Sequence, residues 1–399
     1  MNPRLDVLHP YPFEKLRRLM ADAGAPPSGF AAINLSIGEP KHDTPARIAQ
    51  AMIQALPGGL SSYPTTKGEA RLREVIAQWL GRRYGIPAPD HETQVLPVLG
   101  SREALFSFAQ AVLDPNGDDV VICPNPFYQI YEGAALLAGA RPYFVNADPD
   151  RNFGTDWSQV PAEIWRKTRM VFVCSPGNPA GNVMSMDDWR EILELSDRYG
   201  FIVASDECYS EIYLNESHPP LGGLQAARAL GRDDYRNLIA FSSLSKRSNV
   251  PGMRSGFVAG DAELISRFLL YRTYHGSAMS PVVSAASIAA WTDETHVRDN
   301  RRLYRAKFEA VVPILRRALD VTQPAASFYL WVPTPTPDAE FARDLYARTA
   351  VTVLPGSYLA RDAHGHNPGR NRVRMALVAP LAQCIDAAER IVDFVKSSV

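Results

Sequence analysis

Cysteine is scarce in this chain, and its placement builds no framework. Cys123, Cys174, Cys208 and Cys384 are far apart and form no CxxC pair. That excludes a disulfide scaffold or a zinc site as the organising device and points to reduced thiols in a cytoplasmic protein. An excess of either charge is missing as well. The 42 Lys and Arg are matched by 43 Asp and Glu, for a formal net charge of −1. Without a run of one sign there is no electrostatic footprint for nucleic acid or an anionic membrane. No apolar stretch is long enough to cross a bilayer, and the opening MNPRLDVLHPYPFEKLRRLM has proline and charge where a signal peptide needs an apolar centre. Lysine itself is rare, at only seven of the 42 basic residues. The 399 residues, 46 % hydrophobic, suffice for a large and a smaller domain built for small-molecule chemistry.

One of the seven lysines stands in an unusual setting. The apolar run LIAFSSL delivers Lys246 among small hydroxyl residues, and the chain then turns through Pro251 and Gly252 back into GFVAG. An amine held half out of water loses part of its preference for the charged form, so a neutral nucleophile becomes accessible near neutral pH. In a chain that otherwise uses arginine, a lysine here suggests that an amine is required.

In chain order, PYPFEKLRRLMADAG has the apolar spacing of an amphipathic helix, ended by Pro26 and Pro27. AAINLSIGEPKHDTP is a short strand and a turn, where Gly38 allows backbone to approach a ligand. Tyr63 lies in an exposed-looking SSYPTTKG loop. In ETQVLPVLGSREALFSFAQAVL a strand, tight turn and helix place Ser101 and Arg102 at a helix N-terminus, which favours an anion. The PNPFY loop leaves Phe127 and Tyr128 beyond a strand's carboxyl end, the ligand-binding edge of open α/β sheets. TRMVFVC, MDDWREILELSDRYG and FIVASDECYSEIY form a βαβ unit of ~30 residues, parallel and right-handed by the general rule. It presents Asn178 and Asp206 at one edge. NLIAFSSLSK brings Lys246 to the same edge if its strand joins in parallel. The helix in TDETHVRDNRRLYRAKFEAVVPILRRAL puts Tyr304, Phe308, Val312 and Leu315 on one face, and short strands and helices follow, as in an α+β domain. Arg374 lies in a strand apolar on both sides and needs a carboxylate or phosphate partner.

Taken together, SIGEP, SSYPTTKG, LGSREAL, PNPFY, SPGNPAG, SDECY, SLSKRSNVPGMRSG and VRMAL, in that order and nearly end to end, resemble the pyridoxal-phosphate aminotransferases of the aspartate aminotransferase fold. The resemblance implies an α/β fold of type I. Residues 46–285 would form a large domain around a mixed, mostly parallel seven-stranded sheet, and residues 1–45 and 286–399 a smaller α+β domain. It implies pyridoxal 5′-phosphate as cofactor, held covalently by Lys246, with Asp206 on the pyridine nitrogen. Asn178 and Tyr209 would bond the ring's O3′, and Tyr128 would stack on its face. Ser101, Arg102, Ser243 and Arg254 would hold the phosphate, joined by Tyr63 from a partner subunit of a homodimer. Arg374 would clamp the α-carboxylate of amino-acid and 2-oxo-acid substrates beside Gly38 and Asn178. NPAG stands where the family usually has NPTG. Within the family, SLSKRSNVPGMRSGFVAGD, SIGEPKH and PGNPAGNV look most like N-succinyldiaminopimelate aminotransferases of lysine synthesis. A distal succinyl carboxylate would then want a cation at the site mouth, for which Lys41 is the candidate.

Rival readings are weaker. SLSK also fits the SxxK motif of penicillin-binding proteins, with Ser243 as nucleophile, but that class needs SDN and KTG where this chain has SDE and TKG. A ligand-sensing regulator would carry a DNA-binding domain before the site motifs. An aspartate, alanine or aromatic aminotransferase, or a carbon–sulfur lyase of the same fold, stays open.

Overall fold

The computed structural model describes residues 1–398. Its strands are β1 (Ile33–Asn34), β2 (Val95–Val98), β3 (Val120–Asn125), β4 (Arg141–Asp148), β5 (Gly154–Thr155), β6 (Thr168–Cys174), β7 (Ile202–Asp206), β8 (Leu238–Ser243), β9 (Gly256–Gly260), β10 (Tyr329–Pro333), β11 (Val351–Thr352), β12 (Leu354–Pro355) and β13 (Arg372–Ala376). The apolar runs read as central strands form a sheet in the order β2-β9-β8-β7-β6-β3-β4-β5. Seven of these match the expected sheet, and the two-residue β5 adds an antiparallel edge strand. The steps β4-β3-β6-β7-β8 are parallel, and β9 runs antiparallel to both β8 and β2. Strand β8 does join in parallel, which sequence alone left open.

These strands lack polar alternation because both faces are covered. Ile122, Val171, Val203 and Leu238 feed one core, whereas Val121, Met170, Ala204 and Ile239 feed the other. The crossover helix Met186–Tyr199 begins with a reciprocal cap between Ser185 and Asp188 and ends at left-handed Gly200. It buries Trp189, Ile192, Leu193 and Ser196, the stripe expected of an amphipathic helix.

A three-stranded antiparallel sheet, β10-β13-β12, packs with the helices Thr295–Leu315, Asp338–Thr349 and Leu381–Ser398. Phe308, Val312, Leu315, Leu330, Phe341, Val373 and Ile391 share its core, and Tyr304 is fully buried as expected. Strand β1 pairs in parallel with β11, which ties the N-terminal segment to this part of the chain. The first long helix, Pro12–Asp22, stops earlier than its prolines suggested: the chain turns at Ala23 and at Gly24 (φ 77°), where glycine adopts left-handed backbone without strain. Leu16 seats this helix against Trp331, Leu354 and Leu359.

Candidate active site

The large sheet delivers its chemistry to one edge. Cys174 pairs with Asp206 and Asp206 with Phe241, so β6, β7 and β8 end in step. Ser243 pairs with Gly256 and Val98 also pairs with Gly256, which brings Arg254, just before β9, and Ser101, just after β2, to the same edge. The three-stranded sheet supplies Arg374 from the opposite side. Between them lies a cleft of about 1490 Å³, counted to its open mouth. It is lined by Gly38, Ser101, Arg102, Tyr128, Asn178, Asp206, Tyr209, Ser243, Lys246, Arg254 and Arg374. Of the residues named from sequence, Lys41, Phe127 and Tyr63 do not line it, and Tyr63 is 104 % exposed. A neighbouring cleft of about 840 Å³ shares Asn178 but neither Lys246 nor Asp206, so the amine and the acid belong to the larger one.

Lys246 sits in the short turn Leu244–Arg247 after β8. Its Nζ donates to the carbonyl of Gly38 and lies 5.4 Å from the centre of the Phe328 ring. Burial draws its pKa down to about 8 from the usual 10.5, with Arg374 and Arg102 adding repulsion and Cys208 and Glu39 opposing. Gly38 has no room for a side chain, because a Cβ would fall 1.9 Å from the Tyr329 hydroxyl. That hydroxyl lies 2.9 Å from the hydroxyl of Tyr209.

Asp206 is buried and accepts from the Tyr131 hydroxyl at 2.7 Å and the Cys208 N–H at 3.2 Å. Burial raises its pKa, while these two bonds and the Lys246 ammonium oppose the rise. Among the described residues it forms no ion pair. A buried carboxylate without a counterion suits a protonated ring nitrogen. Beside it, the helix Ser101–Val112 opens at Gly100, whose φ of 87° favours glycine and whose Cβ would lie 2.3 Å from Arg254 Nη2. Arg254 itself is left-handed (φ 54°), a strained backbone for a non-glycine residue of the kind concentrated at functional sites. It donates to the carbonyl of Pro251 at 2.8 Å and faces Ser245 Oγ at 3.4 Å. Arginine, hydroxyls and free helix N–H groups on one wall suit a phosphate. Arg102 donates to the Tyr128 hydroxyl at 2.6 Å. Tyr128 alone faces the cleft, whereas Phe127 is core, packed 5.0 Å from Phe144.

Arg374 donates to Asn178 Oδ1 at 2.9 Å and to the carbonyl of Ser36 at 2.8 Å, and its buried Nε has no partner. An orphaned guanidinium nitrogen in a cleft wall invites a carboxylate. These donors and acceptors fit a planar, cationic, phosphorylated ring with a carboxylate substrate beside it.

Several expectations are modified. The Ser243 hydroxyl lies 2.9 Å from Ser245 Oγ and 3.1 Å from the Ser255 carbonyl, and Ser245 joins it as a hydroxyl of the cleft. Lys41 pairs with Glu39 at the surface and does not line the cleft; Glu39 does. Sequence reasoning missed Tyr11, Phe13, Glu39, Cys208, Ser245 and Tyr329 as lining residues, and Tyr131 behind Asp206. Adjacency to Asp206, Tyr209 and Lys246 could have flagged Cys208 and Ser245, whereas Tyr329 and Tyr11 come from remote segments. Cys208 Sγ donates to Ser101 Oγ at 2.8 Å, and all four cysteines are free thiols.

Comparison with known proteins agrees with this geometry. The family described as aminotransferase class I and II matches residues 31–391. An aminotransferase structure from Neisseria meningitidis superposes with a TM-score of 0.95 at 55 % identity, covering 98 % of this chain and 99 % of that one. The LL-diaminopimelate aminotransferase of Aquifex aeolicus is 30 % identical over 97 % of both chains. A structure described as a probable N-succinyldiaminopimelate aminotransferase from Thermus thermophilus gives a TM-score of 0.84 at 26 % identity, covering 96 % of this chain and 100 % of that one. The chain therefore belongs to the class I and II aminotransferases, enzymes that depend on pyridoxal 5′-phosphate.

Proposed function

We propose that this aminotransferase moves an amino group between N-succinyl-LL-2,6-diaminopimelate and 2-oxoglutarate in lysine and diaminopimelate synthesis. The observation that carries the chemistry is the convergence of Lys246, Asp206 and Arg374 on one cleft. Pyridoxal 5′-phosphate supplies, when bound, an aldehyde that captures amino groups and a ring that draws electrons from the substrate α-carbon. Lys246 is the residue that would hold it and then, as a free amine, take and return the proton at the substrate Cα. An amine with a pKa of about 8 is matched to that work near neutral pH. Asp206 would keep a proton on the ring nitrogen. Asn178 and Tyr209 would bond O3′, and Tyr128 would cover one face. Arg254, Ser101, Arg102, Ser243 and Ser245 would hold the phosphate, while Arg374 orients the α-carboxylate.

The donor assignment is supported by the SIGEPKH and SLSKRSNVPGMRSG runs and by the names of relatives, which share a diaminopimelate skeleton. A second reading, free LL-diaminopimelate as donor, is favoured by Glu39 at the mouth, since a carboxylate there matches a distal ammonium. Glutamate formation from 2-oxoglutarate with each purified donor decides between them. The proposal expects a kcat/KM at least about tenfold higher for the succinylated donor, and the reverse ratio would overturn it. Release of ammonia and pyruvate from a cysteine conjugate would instead indicate a lyase.

A homodimer with shared sites belongs to the same proposal. Tyr63 is fully exposed, and a 3.0 Å bond between Thr66 and Thr273 brings its loop beside exposed Tyr274. Ile53, Leu56 and Leu60, on and just after the helix Ala46–Gly59 that leads into this loop, and Leu270, on the helix of Tyr274, are exposed as well, apolar surface of the kind that subunits cover.

A further inference from the structure

The cleft accounts for Gly38 and Glu39 in the loop after β1 but not for His42, whose ring is half-buried against Tyr304 with centroids 4.5 Å apart. His42 Nε2 lies 2.7 Å from Lys307 Nζ, and its Nδ1 lies 2.7 Å from Asn300 Oδ1. Asn300 in turn directs Nδ2 at the carbonyls of Lys246 (3.2 Å) and Arg247 (3.4 Å). Asn300 and Lys307 project from the helix Thr295–Leu315, and both are buried. Among the described residues no carboxylate pairs with Lys307, which also donates to the carbonyl of Val378 at 3.1 Å.

The sense of this chain of bonds follows from what each group can do. An ammonium only donates, so Nε2 of His42 must accept and the ring hydrogen sits on Nδ1. Nδ1 then donates to Asn300 Oδ1, which leaves the Asn300 amide hydrogens for the main chain of Lys246. Asn249 Nδ2, 3.1 Å from the same oxygen, supports that orientation. The other end of Lys246 is held from the same loop, because its Nζ donates to the carbonyl of Gly38.

We propose that His42 is a positioning residue for the Lys246 amine, fixing through Asn300 the turn that carries the lysine, and that it does so only while its ring is neutral. A second ring proton would place an N–H donor against the Lys307 ammonium and break the chain at its centre. The groups that face the ring are Lys307, Asn300 and Tyr304 from the helix and Asp43 from its own loop, with the Cys384 thiol near Lys307. Burial and Lys307 lower the ring's pKa from 6.5, and the Asn300 bond and Asp43 oppose them. The chain of bonds is therefore intact at neutral pH and lost as pH falls below the ordinary histidine range. The proposal rests on Lys246 as the reacting amine.

The test labels cofactor-free protein with an N-hydroxysuccinimide ester across a pH series and maps Lys246 by peptide mass, with exposed Lys167 as internal standard. The pH titration of the cofactor's visible band in the holoenzyme is followed in parallel. In the wild type the labelling ratio changes on the acid side. His42→Gln, which has no titrating proton, loses that change whatever rate it retains. Lys307→Met loses the change as well, because a second ring proton then meets no ammonium and the Nδ1–Asn300 bond persists. Asn300→Asp, which cannot donate to the Lys246 carbonyl, lowers kcat by about two- to tenfold, the equivalent of one hydrogen bond, leaves the substrate KM within about twofold, and shifts the band's titration. An acid-side change identical in wild type and His42→Gln overturns the proposal even if Asn300→Asp fails to fold. An unshifted band in a folded Asn300→Asp overturns it too. A wild type with no visible band at all would instead refute Lys246 as the reacting amine, and this proposal with it.

Discussion

Replacing Arg374 by lysine tests the proposed substrate clamp without removing charge. Arg374 is 3 % exposed in β13, between Trp331 and Leu354 in register, with its guanidinium 4.3 Å from the Tyr329 ring centre. Its bonds to Asn178 and Ser36 lock the plane, and Nε is left without a partner. A lysine at this position offers one point of charge and cannot serve Asn178, the Ser36 carbonyl and a substrate carboxylate together. Losing a charge-assisted, two-pronged contact costs about 1.5–3 kcal/mol. At about 1.4 kcal/mol per tenfold, that is a fall in kcat/KM of roughly 10- to 150-fold. The amino donor and the 2-oxo acid both carry an α-carboxylate, so both should lose similar factors. An amine lacking a carboxylate should lose nothing. Steady-state kinetics with each substrate, alongside a melting curve to verify the fold, measure all three. Unchanged kcat/KM for both substrates, or a loss confined to one, would refute the assignment.

Other expectations follow from the same geometry. The purified holoenzyme should show a visible band that borohydride abolishes, and Lys246→Ala should end turnover while still binding cofactor noncovalently; normal activity in that variant would remove Lys246 from its role. Lys246 and Lys307 both have pKa values drawn down to about 8 from 10.5. Between those values the unfolded chain binds more protons than the folded one, so cofactor-free protein should gain stability from pH 8 to 10.5, by up to about 3 kcal/mol per lysine. Urea unfolding at the two ends of that window should show a flatter slope in Lys307→Met. Glu211→Gln should destabilise by about 3–5 kcal/mol, because Glu211, 3 % exposed, bonds Arg83 Nε at 2.6 Å and lies 3.7 Å from Arg301; a change below about 1 kcal/mol in the urea midpoint would contradict it. Tyr63→Ala should weaken cofactor binding in a dimer without lowering the melting temperature, as measured by equilibrium dialysis and light scattering.

How much was legible depended on whether a residue's neighbours along the chain are also its neighbours in space. Strands β6, β7 and β8 are apolar without alternation because alternate residues enter two separate cores, and that pattern is written locally. Lys246, Asp206 and Asn178 follow those strands directly, so their meeting at one edge needed only the rule for parallel βαβ units. The helix Ala262–His275 had no such signature, since only Ile265, Phe268 and Arg272 are buried along it. The extent of the first helix was also misread, because Gly24 ended it before the prolines could.

By itself, the sequence determined the sheet, its chemical edge and the lone lysine, all of which come from short-range patterns of burial and turn chemistry. Only the tertiary structure decided which groups complete the cleft. Tyr329 and Tyr11 approach it from distant segments, Lys41 turns outward to Glu39, and Asn300 reaches the Lys246 main chain across 54 residues of sequence. The physical reason is that such contacts depend on how separate hydrophobic cores pack against one another, and no local spacing of residues encodes that.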